Sequence, residues 1–263
     1  MRILFVMDPP STVIADEDTS FDLMLAAQAR SWRVDHCMAH DLMIREGRAH
    51  ARVRRATVDR RSSAPLSLGD EESLALESVD VVFVRKDPPF DRPYLWATQV
   101  LELLRDRSLV VNDPRGLRDA NEKLYACHFP ELMPRTLVSA GATSIHEFVQ
   151  EVGGRAVIKP LDGAGGEGVM SLIDGDSNFR PILEASTQHG GRLAMVQEFL
   201  PAYKQGDKRI LLLDGAPLGG ILRVPRADEL RSNIHVGGTV HACALDEDDQ
   251  RIIAAVAPRL RQD

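Results

Sequence analysis

Apolar and polar positions in the first part of the chain predict strands and helices in alternation. Short apolar runs predict strands at 2–7, 33–38, 79–84 and 109–112. Helical spacing predicts a helix after the first strand and another at 93–105. For the first helix the expected N-cap is Thr19 or Ser20, and the expected buried side consists of Leu23, Leu25, Ala26 and Ala29. This alternation is typical of βαβ units and predicts a mainly parallel sheet.

An arginine-rich stretch at 45–61 interrupts this pattern. Its charged residues alternate with Ala51, Val53, Ala56 and Val58. The alternation predicts an amphipathic hairpin whose arginines are solvated. We expect residues 61–72 to form a polar loop.

The pattern changes near residue 119. A helix is predicted at 119–129, and further helices are predicted at 144–152, 179–189 and 246–261. The remaining segments are rich in strands, which are predicted at 135–138, 156–161, 169–173, 194–199, 208–213 and 218–224.

Composition and charge restrict the class of protein. A net charge of −7 is weak evidence against nonspecific nucleic-acid binding, which usually depends on a basic surface. No apolar stretch is long enough to span a bilayer, and the first ten residues lack a small-residue cleavage site. The cysteines form neither a metal-binding spacing nor a disulfide framework; they are Cys37, Cys127 and Cys243. We therefore expect a cytoplasmic protein with no nucleic-acid and no membrane partner.

A glycine-rich loop at 163–168 matches the pattern G-x-G-x-x-G. That pattern marks a dinucleotide site only when a helix follows it, whereas 169–173 is predicted as a strand. The loop is therefore interpreted as a hairpin flap, whose backbone N–H groups can lie over phosphate oxygens. Lys159 precedes the flap, unlike the lysine of protein kinases, and the absence of any Gly-Lys pair excludes a Walker A loop. Four glycines in six positions favour a bound ligand over a simple turn.

Two other segments are informative only beside this flap. Lys123 lies on the helix predicted at 119–129, and alone it would be interpreted as a surface lysine. The residues Glu198, Phe199 and Leu200 end a predicted strand where an adenine ring could be held. Alone they would be interpreted as a buried strand end.

Five segments carry a resemblance to a known family. They are 7–9, 85–91 (R-K-D-P-P-F-D), 121–124, 159–163 and 206–209. In order and spacing they resemble the bacterial glutathione synthetase family of ATP-grasp ligases, over essentially the whole chain. The resemblance implies an N-terminal, mainly parallel α/β substrate-binding domain at 1–118 and an ATP-grasp α+β fold after it. That second part comprises a lid subdomain with the flap at 119–201 and the start of a C-terminal subdomain at 202–263.

The resemblance also implies a reaction. ATP would phosphorylate the cysteinyl carboxylate of γ-glutamylcysteine, and the amine of glycine would attack the acyl phosphate. The products would be glutathione, ADP and phosphate. ATP and Mg²⁺ are the implied cofactors, and a homo-oligomer, usually a tetramer, is the implied assembly.

Individual roles follow from the same resemblance. The ATP phosphates would be bound by Lys123 and Lys159 under the flap residues Gly163, Gly165, Gly166 and Gly168. Adenine would be held by Glu198, Phe199 and Leu200, and the ribose would lie near Asp207. Negative charge in the transition state would be stabilised by Arg209 and Arg223, with Arg231 and Asn233 on a lid at 225–238. The dipeptide would be bound by Arg85, Asp87 and Ser20.

One departure from the family concerns the metal. Family members continue beyond the helix predicted at 246–261 into strands that carry the magnesium ligands, so no metal ligand is expected up to Asp263. We expect a fragment, rather than a truncated paralogue, with an incomplete ATP-grasp fold that turns over poorly alone. We interpret 246–249 as a helix start. Two alternatives stay open: an ATP-grasp ligase for another acid and amine, and a nucleotide-binding protein without activity.

A structural expectation follows from the roles given to Arg209 and Arg223. In a regular hairpin with a turn centred on 215–216, Arg209 lies opposite Leu222 and Arg223 points to the other face. If both arginines face one site, the hairpin requires an irregularity between Asp214 and Gly220.

Overall fold

The computed structural model describes residues 1–226 and 238–262. The chain forms two compact units, Met1–Asp119 and Ala120–Asp263. Each unit has its own sheet structure and its own hydrophobic core. In the described ranges, no helix combines the length and the apolar character that crossing a bilayer requires.

The first unit is built on a seven-stranded sheet. Its strands are β1 Arg2–Met7, β2 Arg33–Cys37, β3 Leu42–Arg45, β4 Arg48–Val58, β5 Leu66–Ala75, β6 Val81–Arg85 and β7 Leu109–Val111. The order is β3-β4-β2-β1-β6-β7, and β5 pairs with β4. The neighbours β2, β1, β6 and β7 are parallel, as predicted. The strands β3, β4 and β5 add an antiparallel extension that was not predicted as such.

The central strand β1 is buried on both faces because its apolar residues alternate between two core clusters. Phe5 packs in the same cluster as helix α1 (Thr19–Ala29). Leu4 packs in the cluster that contains Leu101 of helix α2 (Arg92–Glu102). Helices therefore cover both faces of the sheet, which is the α/β layering predicted from the sequence.

The start and the orientation of α1 differ from the prediction. Its N-cap is Asp18, whose carboxylate accepts hydrogen bonds from the N–H groups of Ser20 and Phe21. An aspartate one residue earlier thus satisfies the free N–H groups that Thr19 or Ser20 was expected to satisfy.

The predicted buried side of α1 is also partly wrong. Leu23 and Leu25 are half-buried, but Ala26 and Ala29 are exposed. The apolar residues of α1 that are buried are Phe21, Met24 and Ala27. Turning Phe21 and Met24 to the sheet removes far more apolar surface from water than burying two alanines.

The arginine-rich stretch forms β4, where the predicted residues Ala51, Val53, Ala56 and Val58 are buried. The arginines of this strand are exposed, as expected. The predicted loop at 61–72 is wrong from residue 66 onward, because β5 pairs with β4 there. The middle of β5, residues 69–73, is polar and exposed, and its core contacts come from Leu66, Leu68 and Leu74 near the two ends. The apolar alternation is therefore too short to predict the strand.

The second unit contains a four-stranded antiparallel sheet of order β10-β9-β11-β8. The strands are β8 Thr136–Ser139, β9 Arg155–Pro160, β10 Met170–Ile173 and β11 Ala194–Glu198. Helices α4 (Ala142–Glu151) and α5 (Phe179–Thr187) pack on one face, where Ile158 and Val196 join the core. The other face carries Lys159 and Gln197, because side chains alternate along a strand.

A three-stranded antiparallel sheet follows, made of β12 Asp207–Leu213, β13 Ala216–Val224 and β14 Thr239–Cys243. The strand β14 was not predicted. Two further helices are α3 Pro114–Asp119, in the first unit, and α6 Glu247–Leu260.

Helix α6 begins with a capping box. Asp246 accepts from the N–H of Asp249, and the side chain of Asp249 accepts from the N–H of Asp246. Lys208 Nζ on β12 donates to both carboxylates, at 2.7 and 2.5 Å. The predicted helix start at 246–249 is confirmed, and it is fastened to β12.

Candidate active site

The strand order of the first unit reverses at β1, the point at which open α/β sheets form a ligand-binding crevice. From β1 the chain moves to β2 on one side and later returns to β6 on the other. Open α/β sheets bind ligands at such a reversal, beyond the carboxyl ends of the strands. Asp8 follows β1 at this edge, and Arg85 ends β6.

Two of the residues predicted to bind the dipeptide meet there. Arg85 Nε donates a hydrogen bond of 2.9 Å to Ser20 Oγ. Ser20 is buried in the first turn of α1, whereas Arg85 is exposed. A guanidinium beside a helix N-terminus favours a carboxylate ligand.

Sequence reasoning missed the residue that holds this segment. Asp8 Oδ2 accepts from the backbone N–H of Asp87 at 2.9 Å, and Asp8 Oδ1 lies 2.9 Å from Lys86 Nζ. The side chain of Asp87, a predicted substrate ligand, is exposed. The available signal was the Met7-Asp8-Pro9 segment, which was noted only as part of the resemblance.

In the second unit, Lys159 lies on the sheet face opposite α4 and α5. Its Nζ donates to Gln197 Oε1 at 2.6 Å, and Gln197 Nε2 donates to Thr136 Oγ1 at 2.9 Å. Burial lowers the pKa of Lys159, and the positive charge of Lys123 lowers it further. Gln197, which sequence reasoning also missed, is a neutral partner, and no described residue forms an ion pair with Lys159.

Lys123 is not on a helix, contrary to prediction. Residues 122–124 form a turn, because Asn121 Oδ1 accepts from the N–H groups of Lys123 and Leu124 at 3.1 and 2.9 Å. An asparagine that satisfies two backbone donors in this way stabilises a turn in competition with a helix. Lys123 Nζ donates to Gly163 O at 2.6 Å and pairs with Glu122 at 2.7 Å.

The glycine loop joins β9 and β10, so the predicted hairpin is confirmed. Gly165, Gly166 and Gly168 have φ angles of 63°, 80° and 69°, which side chains rarely allow. A Cβ on Gly163 would lie 3.1 Å from Pro160 Cγ. The loop therefore needs glycine for its backbone conformation and for its close approach to Pro160.

The residues predicted to hold adenine do not share one environment. By strand alternation Glu198 lies on the face of its partner Ala156, opposite to Lys159 and Gln197. The guanidinium of Arg155 lies over the ring of Phe199, with its Cζ 3.6 Å from the ring centroid. Leu200 is 49% exposed. Gln197 is the residue of this segment that shares the face of Lys159.

The predicted irregularity in the hairpin of β12 and β13 is confirmed. The turn is at Asp214-Gly215, one residue earlier than assumed, and pairing shifts where Leu211 meets Gly219 and Leu212 meets Pro217. Leu218 is thus the extra residue.

The shift places Arg209 opposite Ile221. Arg209 and Arg223 consequently lie on the same face of the hairpin. Arg223 Nε donates to Asp207 Oδ1 at 2.9 Å, and Arg223 Nη2 lies 2.5 Å from Asp207 Oδ2. Asp207, predicted near the ribose, is paired with this arginine.

Two predicted catalytic residues, Arg231 and Asn233, lie outside the described residues. Within 1–226 and 238–262, no group of three or more His, Cys, Asp or Glu side chains is arranged to hold a metal ion. The neighbouring carboxylates Asp246 and Asp249 are both paired with Lys208.

Comparison with known proteins decides the family. Residues 1–118 match the model of the prokaryotic glutathione synthetase N-terminal domain, and residues 122–263 match that of the prokaryotic glutathione synthetase ATP-grasp domain. The chain belongs to the prokaryotic glutathione synthetase family. The predicted family and the predicted ATP-grasp fold are thereby confirmed, and the chain is an ATP-grasp ligase by descent.

Relatives named glutathione synthetase align with the whole of this family member. The protein from Photorhabdus laumondii is 44% identical over 264 residues, and that from Gloeobacter violaceus is 45% identical over 269 residues. In both cases the alignment covers 100% of the chain and 83% of the relative.

Solved structures support the fold alone. A RimK domain ATP-grasp protein from Sphaerobacter thermophilus has a TM-score of 0.61 at 19% identity. The alignment covers 99% of this chain and 82% of the RimK domain protein. The D-cycloserine synthetase DcsG has a TM-score of 0.59 at 17% identity, and the alignment covers 98% of this chain and 80% of DcsG.

Proposed function

We propose that the chain joins γ-glutamylcysteine to glycine at the expense of ATP. The cysteinyl carboxylate takes the γ-phosphoryl group, and the glycine amine displaces phosphate from the acyl phosphate to give glutathione. The observation that carries the proposal is the pair of lysines at the base of the flap. Lys159 is buried with a neutral partner and is close enough to Lys123 for their charges to interact. Among the described residues Lys159 has no anionic partner, and ATP phosphates would supply one.

In this proposal the flap closes over the phosphates. Its glycines leave backbone N–H groups without side chains above them, which suits hydrogen bonding to phosphate oxygens. Gln197, with Glu198 to Leu200 at the strand end, provides acceptors for the adenine amino group. The purpose of this binding is to orient the γ-phosphoryl group toward the acceptor carboxylate.

The dipeptide would bind in the crevice of the first unit. Arg85 offers planar donors to a carboxylate, Ser20 holds the guanidinium, and Asp87 borders the same edge. Asp8 keeps the segment of Lys86 and Asp87 in place.

Arg209 and Arg223 are proposed to stabilise negative charge on the transferring phosphoryl group and on the tetrahedral intermediate. Their common face makes joint action possible. The bidentate pair with Asp207 holds the guanidinium of Arg223 in one plane. Arg231 and Asn233, which lie outside the described residues, are proposed to share this role.

Magnesium is proposed as the ion that accompanies ATP. Within the described residues no three acidic side chains are grouped to hold it, and Asp207 and Asp246 are paired with Arg223 and Lys208. Its protein ligands are therefore expected outside the described residues, and no step above depends on it.

We also propose a cytoplasmic homo-oligomer. In the described part of the chain the three cysteines are free thiols, which suits a reducing compartment. Light scattering after gel filtration tests the assembly, and cell fractionation tests the location.

The function is tested by ADP release and by mass spectrometry of the product. Release that requires both γ-glutamylcysteine and glycine, with glutathione as product, is the expected result. Release with another acid and amine would establish a different ligase. Nucleotide binding without turnover would instead favour a binding protein.

A further inference from the structure

The first leg of the flap, residues 161–163, is held by three side chains. Asn121 Nδ2 donates to Leu161 O at 3.0 Å, and Lys123 Nζ donates to Gly163 O at 2.6 Å. Between these two contacts, Asp162 forms an ion pair with Arg192. Beyond this leg, the flap's backbone bonds are local turns, such as that from Glu167 N–H to Ala164 O.

Asn121 connects this leg to the turn that carries Lys123. Its Oδ1 accepts from two backbone N–H groups of the turn, and its Nδ2 donates to the flap. One half-buried side chain thus fixes both the direction of Lys123 and the position of Leu161. If the asparagine were absent, the turn and the flap could move independently.

We propose that Asn121 is a positioning residue that holds the Lys123 ammonium and the base of the flap in one geometry for nucleotide phosphates. The inference rests on the proposed role of Lys123 in ATP binding. Asn121 acts through Lys123 and Leu161 and makes no contact of its own with the nucleotide.

The chemistry of the amide explains the choice of residue. An aspartate could still accept the two N–H bonds of the turn. It has no donor for Leu161 O, and its carboxylate would lie against that carbonyl oxygen. Asn121→Asp therefore separates the contact with the flap from the formation of the turn, and Asn121→Ala removes both.

The test measures binding of the nonhydrolysable ATP analogue AMP-PNP, with magnesium in the buffer, and of adenosine by calorimetry. In Asn121→Asp, affinity for AMP-PNP should fall between about twofold and twelvefold, the range for the loss of one hydrogen bond. Adenosine affinity should stay unchanged, because adenosine has no phosphates. Asn178→Asp is the matched control, since Asn178 is exposed and its side chain donates to Asp176, two residues away.

A double-mutant cycle tests the route of the effect. If Asn121 acts through Lys123, Lys123→Met and Asn121→Asp together should cost less than the sum of the two single changes. Additive costs, or equal losses for adenosine and AMP-PNP, would overturn the positioning role. Thermal unfolding identifies a folding defect, and Asn121→Asp, which keeps the turn, carries the test if Asn121→Ala does not fold.

The control with unaltered protein separates the two proposals. If the wild-type chain binds AMP-PNP and Asn121→Asp binds it equally well, only the role of Asn121 is wrong. If the wild-type chain binds no AMP-PNP, both the proposed function and this inference are wrong.

Discussion

Single residues in this chain combine unusual backbone or electrostatic environments with positions close to the candidate site. Gly206 precedes β12 with a φ angle of 105°, and Lys159 is a buried cation whose partner is neutral. At Gly206 the residue type decides the backbone conformation, and at Lys159 it decides the local charge. Single substitutions at these two positions are therefore informative.

Gly206→Ala should destabilise the protein strongly. A Cβ there would lie 2.6 Å from Arg223 O, in addition to the strain of a positive φ. Gly153→Ala is the matched control, because Gly153 has a φ of 91° and nothing within 4 Å of the added carbon. We expect the control to cost about 1–2 kcal/mol and Gly206→Ala about 1–3 kcal/mol more, measured by urea unfolding. Equal costs would contradict the close approach.

Nucleotide affinity should depend on the protonation of Lys159. Burial and Lys123 lower the pKa of Lys159, and bound phosphates favour its charged form. Affinity for AMP-PNP should therefore fall as the pH rises through the lowered pKa. Calorimetry from about pH 7 to about pH 10 measures this fall.

Lys159→Arg should flatten that fall, since arginine stays protonated over the whole range. Lys204→Arg, at an exposed position, is the control and should leave the profile unchanged. If Lys159→Arg and the wild type show the same pH dependence, another group is responsible.

At the scale of elements, strand register and side-chain contacts between neighbouring elements position the candidate residues. The hairpin of β12 and β13 carries an extra residue, Leu218, that brings Arg209 and Arg223 to one face. Helix α6 is fastened to β12 by Lys208, which bonds to the two carboxylates of its capping box. The capping box therefore stabilises the start of α6 and also links this helix to β12.

Asp246→Asn should reduce hydrogen-exchange protection in the first turn of α6. The hydrogen bond from Lys208 and the N–H of Asp249 lower the pKa of Asp246 to about 2. A lowered carboxyl pKa means that the stabilisation is complete above the usual value of about 4 and is lost as the pH falls toward 2. The difference between wild type and variant should shrink over that window. Asp248→Asn, in the same turn with only an exposed pair to Arg251, should have little effect at any pH.

At the scale of the whole molecule, the candidate functions divide between two units. The crevice with Arg85 belongs to Met1–Asp119, and the flap with both lysines belongs to Ala120–Asp263. The two matched family domains, 1–118 and 122–263, follow nearly the same division. The further boundary expected near residue 202 stays a prediction.

Residues 1–119 alone should fold. Both core clusters of the first unit are formed entirely by residues between Ile3 and Val111, on the two faces of one sheet. A chain of this length buries enough apolar surface for independent stability. Cooperative thermal unfolding followed by circular dichroism is the expected observation. A fragment that lacks a cooperative transition would show that the first unit depends on the second.

The sequence alone determined those features that depend on local patterns. Apolar runs identified the parallel strands, and four glycines between two strand-forming runs identified the flap as a hairpin. Strand parity required an irregularity between Arg209 and Arg223, which the extra residue Leu218 provides. Each of these inferences needs only residues that are near in sequence, where side-chain period and backbone freedom act directly.

Tertiary structure alone decided which distant residues meet. β5 pairs with β4, although the middle of β5 is polar and exposed. Asn121 lies 40 residues from Leu161, and Asp8 lies 79 residues from Asp87. Contacts at such separations follow from sheet order and register, which no local pattern encodes. Side-chain roles at Asn121, Asp8 and Gln197 were therefore beyond sequence reasoning, because they arise only when separate strands and turns are brought together.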